Sequence, residues 1–273
     1  MGTLAKRIGQ LAARSVESES SNIIKTISAN KSGLSKALDT TLRTSHDMKV
    51  FGLGTAASMA SLPRYARFTA SMHAVYGAME TSMDQSQSPA VAHTWGKFSG
   101  DLRRAGALQA DLNEATALMG HTPADSVISP SEATSAYVAA IEADARSDDE
   151  TGGARLLGHL YCRYFADLFG GQALAGPYRW ALNLGAASPR HYDFGDFGKE
   201  RRASIEKIYE ALNESGEMLG TDEACEAVVD EARVAFRHNV LVYKDKEEGR
   251  LLADGALGML NMAGGFARSR FSG

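Results

Sequence analysis

Apolar residues recur every three or four positions through most of this chain, and no stretch alternates convincingly in the manner of a strand. The pattern predicts helices over residues 34–49, 63–84, 100–118, 130–146, 154–170, a segment after Gly176, 199–213 and 222–246. Their starts carry recognisable chemistry. Pro63 suits a first helical turn, where its missing N–H costs nothing. Asp222 follows a Gly-Thr turn and brings Glu223 and Glu226 to the positive end of a helix. Pro130-Ser131-Glu132 is a similar start. Residues 147–153 read as a charged loop, and 186–198 as the longest irregular stretch inside the core. The expected architecture is all-α: one multi-helical domain over 32–248, an extension over 1–31 and a tail over 249–273.

The run from Tyr161 to Gln172, YCRYFADLFGGQ, is the most informative segment. Leu160, Tyr164, Asp167, Leu168 and Gly171 share one helical face. A carboxylate on that apolar face is costly unless it is hydrogen-bonded. Two adjacent glycines follow, each costing about 1 kcal/mol against alanine inside a helix. Glycine is kept where something must approach the backbone closely. A buried acid beside a backbone-close surface suggests a flat ligand lying on the helix. From these residues alone the preferred reading is plainer: a solvated Arg163–Asp167 pair at i,i+4, then a helix cap at Gly170. His46 poses a similar choice. It continues the Leu34, Leu38, Leu42 stripe and is able to ligate a metal, but the helix alone favours a core-edge histidine bonded to a backbone carbonyl.

The run resembles the distal helix of the haem oxygenase family, Arg-Tyr-x-Gly-Asp-Leu-Ser-Gly-Gly-Gln, matching at Arg163, Tyr164, Asp167, Leu168, Gly170, Gly171 and Gln172. LSKALDTTLRTSHD, from Leu34, is similar to the family's proximal helix and brings His46 to the position of the haem axial ligand. HAVYGAME, DLRRAGALQADL and EARVAFRHN resemble three further core helices. The likeness runs from about residue 34 to about 243. It implies a haem slot between the proximal and distal helices, bounded by His46, Arg43, Ala166, Gly170, Gly171, Tyr209 and Phe236. Arg43 would meet a propionate. Phe236 and Asn239 would line the far wall. Asp167 would hold the water that delivers a proton to bound dioxygen, with Tyr161 helping to order it. The activity implied is oxidative cleavage of haem to biliverdin, CO and iron, using O2 and electrons from ferredoxin or a flavoprotein reductase. The second reading is a non-catalytic haem-binding or interaction protein of the same fold.

Four positions depart from the family pattern. Ala166 stands for a glycine, Phe169 for a serine, Val50 for a glutamate four residues after the histidine, and Tyr209 for an arginine that pairs with a propionate. A methyl at Ala166 would crowd bound dioxygen. Phe169 would either fill part of the slot or fold away from it. Tyr209 offers a phenolic hydrogen bond, weaker than a charge-assisted one.

Composition narrows the rest. A net charge of −4 gives no argument for nucleic acid or an anionic membrane. No stretch approaches about 18 uncharged apolar residues, so no transmembrane anchor is expected. Cys162 and Cys225 have no metal or redox spacing and are expected as free thiols in a reducing compartment. The histidines at 73, 93, 121, 159, 191 and 238 show no metal-ligand spacing either. Lys6, Arg7 and Arg14 with a Ser-rich stretch after them fit an organelle transit peptide, plastid included; Glu17 and Glu19 fit a plain solvated extension of a cytoplasmic protein. The segment 251–267, with four glycines, reads as a loose or docked tail.

Overall fold

The computed structural model describes residues 27–45, 48–120, 129–244 and 248–271. Among them there is no strand. The helices are α1 Gly33–Ser45, α2 Met48–Ser58, α3 Leu62–Gln85, α4 Pro89–Leu102, α5 Ala105–Met119, α6 Glu132–Thr151, α7 Leu156–Phe169, α8 Ala175–Leu182, α9 Gly195–Lys199, α10 Arg201–Leu219, α11 Asp222–Lys244 and α12 Glu248–Phe271. His46 and the side chain of Arg43 lie outside the described residues.

Helix α7 is the central strut. It packs along α11 and touches α3, α4, α6 and α10. A Cβ at Gly158 would stand 2.7 Å from both the amide nitrogen of Ala232 and the carbonyl oxygen of Val228. Only a glycine lets the two backbones come this close. Around the strut runs one large core, with Tyr161, Tyr164, Phe165, Leu168, Tyr209 and Phe236 among its members. A smaller core beneath α8 gathers Tyr65, Tyr178, Leu182 and Tyr192.

Several boundaries differ from the expected ones, and buried carboxylates explain two of them. The chain breaks at Arg103, between α4 and α5, where one continuous helix was expected. Glu80, buried on α3, accepts the backbone amides of Arg104 (2.6 Å) and Ala105 (3.0 Å), so a new helix starts there. The expected loop at 147–153 is instead the last turn of α6, closed by Gly152 at φ 71°. Asp148 in that turn accepts the amides of Arg155 (2.8 Å) and Leu156 (3.0 Å) and so caps α7 from a distance of several residues.

The glycine-containing segment after His46 forms α2, which the pattern did not announce. The tail is the long helix α12, docked on α2 and α8. Cβ atoms at Gly258 and Gly265 would collide with the carbonyls of Ala56 and Trp180, so these glycines bring α12 against its supports. No helix among the described residues is long and apolar enough to cross a membrane.

Candidate functional site

Every residue of α7 from Leu156 to Phe169 is buried except Ala166. Gly170, one turn further on, is the next partly accessible position. Its amide donates to the carbonyl of Ala166 at 3.0 Å and ends the helix. Residues four apart lie one above the other. The strut therefore exposes a single short stripe, made of a methyl group and bare backbone, at its C-terminal end.

Asp167 adjoins this stripe and is 5% exposed. The hydroxyl of Tyr76, on α3, donates to its Oδ2. Arg163 Nη2 stands 3.9 Å from its Oδ1, too long for a hydrogen bond but close enough to neutralise the charge. Arg163 is itself buried. Its Nη1 donates to Asn239 Oδ1 at 2.9 Å, and its guanidinium lies 5.2 Å from the centre of the Tyr76 ring. The solvated pair expected from spacing alone is thus a buried one, tied by α3 and α11. Burial, opposed by Arg163 and reinforced by Asp167, holds the Tyr76 phenol well above its ordinary range, so it acts as a donor. The arrangement is a carboxylate beside an accessible stripe, with one oxygen fixed by a phenol and the whole charge-balanced by an arginine. It is equipped to accept, hold and pass a proton.

Gly171 is covered. A Cβ there would lie 2.8 Å from the ring of Tyr192 and 3.2 Å from Asp167 Oδ1. Of the glycine pair, Gly170 is the accessible member, and Gly171 makes room for Tyr192 rather than for a ligand. Tyr192 is placed by Asp111, a fully buried aspartate on α5. Asp111 accepts the amides of Arg190 (2.8 Å) and His191 (3.1 Å) and bonds His191 Nδ1 at 2.9 Å. Burial pulls this carboxyl upward, but the His191 ring and the two amides outweigh it and hold it below the ordinary aspartate value. A depressed carboxyl contributes stability above its unfolded pKa of about 4 and loses it as pH falls through the lower folded value. Asp111→Asn is therefore expected to melt earlier at neutral pH and to show a flatter acid-side melting curve than the wild type. Parallel pH–Tm curves for the two proteins would refute this.

Two expected site residues belong elsewhere. Tyr161 sits about 120° around α7 from Asp167. Its hydroxyl donates to Asp39 Oδ1 at 2.5 Å, so it does not order water at Asp167. Tyr209 is 0% exposed, and its hydroxyl donates to the same oxygen of Asp39. Asn30 Nδ2 donates to the other oxygen at 2.6 Å. Tyr209 thus satisfies a buried carboxylate of α1 and is not at a pocket rim. Tyr209→Arg is expected to lower thermal stability without tightening haem, because it buries a cation and removes a donor from Asp39. A tighter hemin titration for this variant would reverse that assignment. Phe169 is buried and packs on Phe165, ring centres 5.5 Å apart. Phe236 is a core residue at 1% exposure.

Tyr76, Asp39, Asp111 and Tyr192 were not singled out from the sequence. Tyr76 lies in the HAVYGAME run, where its helical spacing looks like ordinary packing. The other three carry no local signal, since each acts on a residue far along the chain.

Comparisons with known proteins bear on the chain as a whole. The family model described as "Heme oxygenase" matches residues 29–245. Heme oxygenase 1 of Nostoc sp. is 33% identical over 199 residues, covering 72% of this chain and 76% of that protein. The heme oxygenase of Rhodella violacea is 28% identical over 182 residues, 66% of this chain and 72% of its own. Among solved structures, heme oxygenase-2 from Synechocystis sp. in complex with heme and NO superposes with a TM-score of 0.65 at 25% identity, covering 85% of this chain and 93% of that one. Both cysteines are free thiols, and the helices that carry Asp167, Tyr76 and Asn239 all fall within the matched span. With a family model that matches most of its length and relatives up to 33% identical on the same all-helical fold, the chain belongs to the haem oxygenase family.

Proposed function

We propose that this protein binds haem against the Ala166–Gly170 stripe and cleaves it oxidatively to biliverdin, CO and iron. The carrying observation is the stripe itself: an otherwise sealed helix leaves open only a methyl and a glycine backbone, with a charge-balanced carboxylate beside them. A flat macrocycle fits such a surface because no side chain projects to tilt it. His46 is assigned as the axial ligand and Arg43 as a propionate partner. Haem supplies the iron that activates O2, and electrons come from an external ferredoxin or flavoprotein reductase.

The chain's own residues then have separable tasks. Tyr76 fixes one oxygen of Asp167 and leaves the other directed toward Arg163. Asp167 holds water and relays a proton at the stripe. Arg163 sets a positive charge 3.9 Å from that carboxylate within the core. Ala166 sets how close the macrocycle approaches, and its methyl narrows the space for water relative to the family's glycine.

His46→Ala is expected to abolish the Soret band of histidine-ligated haem when hemin is titrated into the purified protein. Superimposable spectra for variant and wild type would remove His46 from the assignment. Turnover with ascorbate or reduced ferredoxin, read as biliverdin and CO, tests the cleavage. A protein that binds haem and forms neither product is a haem-binding member of the family without the activity.

A further inference from the structure

We propose that Asp144, His159 and Glu231 form a divalent-metal site between α6, α7 and α11, separate from the haem stripe and independent of the reading given to it. The three side chains come from distant parts of the chain, so no ligand spacing announces them. Their candidate ligand atoms all lie within 4.8 Å of one another. His159 Nε2 is 2.8 Å from Asp144 Oδ2 and 3.6 Å from Glu231 Oε1. Ligands bound to one zinc ion at about 2.0–2.2 Å stand roughly 3–4 Å apart, so the set needs only small adjustment to close on an ion.

The cluster is buried: His159 is 0% exposed, Asp144 8% and Glu231 9%. Yet Glu231 Oε1 makes no hydrogen bond, and neither does His159 Nδ1. A buried carboxylate oxygen without a donor is costly. One imidazole proton cannot serve two carboxylates, and of the nearby cations, Arg155 and Arg237, the first reaches Asp144 only at 4.0 Å from a partly exposed position. A divalent ion would satisfy both carboxylates and the imidazole at once. A way in exists as well. Glu231 lines a cavity of about 370 Å³ together with Glu223, Glu226, Asp230 and Arg155, four carboxylates to one guanidinium, a vestibule whose net negative charge concentrates cations. One imidazole with two carboxylates suits zinc, manganese or cobalt and disfavours soft Cu(I).

The test uses the full chain, stripped with a chelator and dialysed. Zn2+ is titrated by calorimetry, and Co2+ by its visible absorption. The expected result is one equivalent of Zn2+ bound and a Tm raised by saturating Zn2+. Glu231→Gln, which keeps the shape of the site, and His159→Ala should each weaken binding at least about tenfold, since ligand number and charge set the affinity. His93→Ala, at a partly exposed histidine paired with Glu214 outside the cluster, should change nothing. Thermal melts confirm that each variant is folded. If His159→Ala does not fold, Glu231→Gln decides alone. Absence of stoichiometric binding, equal affinity in wild type and Glu231→Gln, or loss of binding in His93→Ala would each overturn the site and leave the cluster as a hydrogen-bonded tie between helices.

Discussion

Replacing Asp167 with alanine is expected to lower the single-turnover rate of biliverdin formation by roughly 100-fold or more, the range usual for losing a positioned proton-transfer group. Haem affinity should stay within a few-fold, because Asp167 lies beside the stripe and not on it. The substitution also leaves Arg163 buried without its counter-charge, which costs about 3–5 kcal/mol where no water enters. Asp167→Asn makes the same loss of charge without opening a cavity. It keeps the volume and an acceptor for Tyr76 while removing the charge and the relay. Both variants should therefore lose turnover, with the asparagine form the more stable of the two. The measurement is biliverdin absorbance after one turnover with ascorbate or reduced ferredoxin, alongside a hemin titration at the Soret band. Wild-type rates from a folded Asp167→Asn protein would remove Asp167 from proton delivery. A parallel loss of binding and rate would instead make Asp167 a structural support of the pocket.

Gly158→Ala is expected to harm the central helix pair far more than one methyl group suggests. In an exposed helix interior the same change stabilises by about 1 kcal/mol. Here the new methyl would meet the backbone of α11 at 2.7 Å from two directions. Backbone atoms cannot rotate aside, so α7 and α11 must separate along their length, an overpacking cost of about 3 kcal/mol. A loss of that size lowers Tm by roughly 6–12 °C in a domain of this scale. Gly96→Ala on α4, where a Cβ would meet nothing within 4 Å, is the control and should raise Tm slightly. Equal shifts for both variants would mean that helix propensity governs Gly158 and that the close crossing is not tight. Because α7 carries Asp167 and the stripe, Gly158→Ala should also weaken haem binding.

The chain's own pattern settles a good deal. Period-3.6 apolar spacing identifies most of the helices, since each must bury one face whatever it packs against. The distal run locates the acid and its neighbouring glycine through its resemblance to the haem oxygenase pattern, since the residues alone favoured a solvated Arg163–Asp167 pair followed by a helix cap. What local pattern could not show is which long-range partner each buried polar group takes. Glu80 splits one expected helix in two by accepting amides from the start of α5. Asp39 draws Tyr161 and Tyr209 into the core and away from the roles their positions suggested. Asp111 sets Tyr192 over Gly171, so that only Gly170 of the pair stays open. Asp144, His159 and Glu231 converge from three helices. In each case the deciding quantity is the free energy of satisfying a polar group removed from water. That depends on which helices cross beside it, and so it is fixed by the tertiary structure and not by the neighbouring residues along the chain.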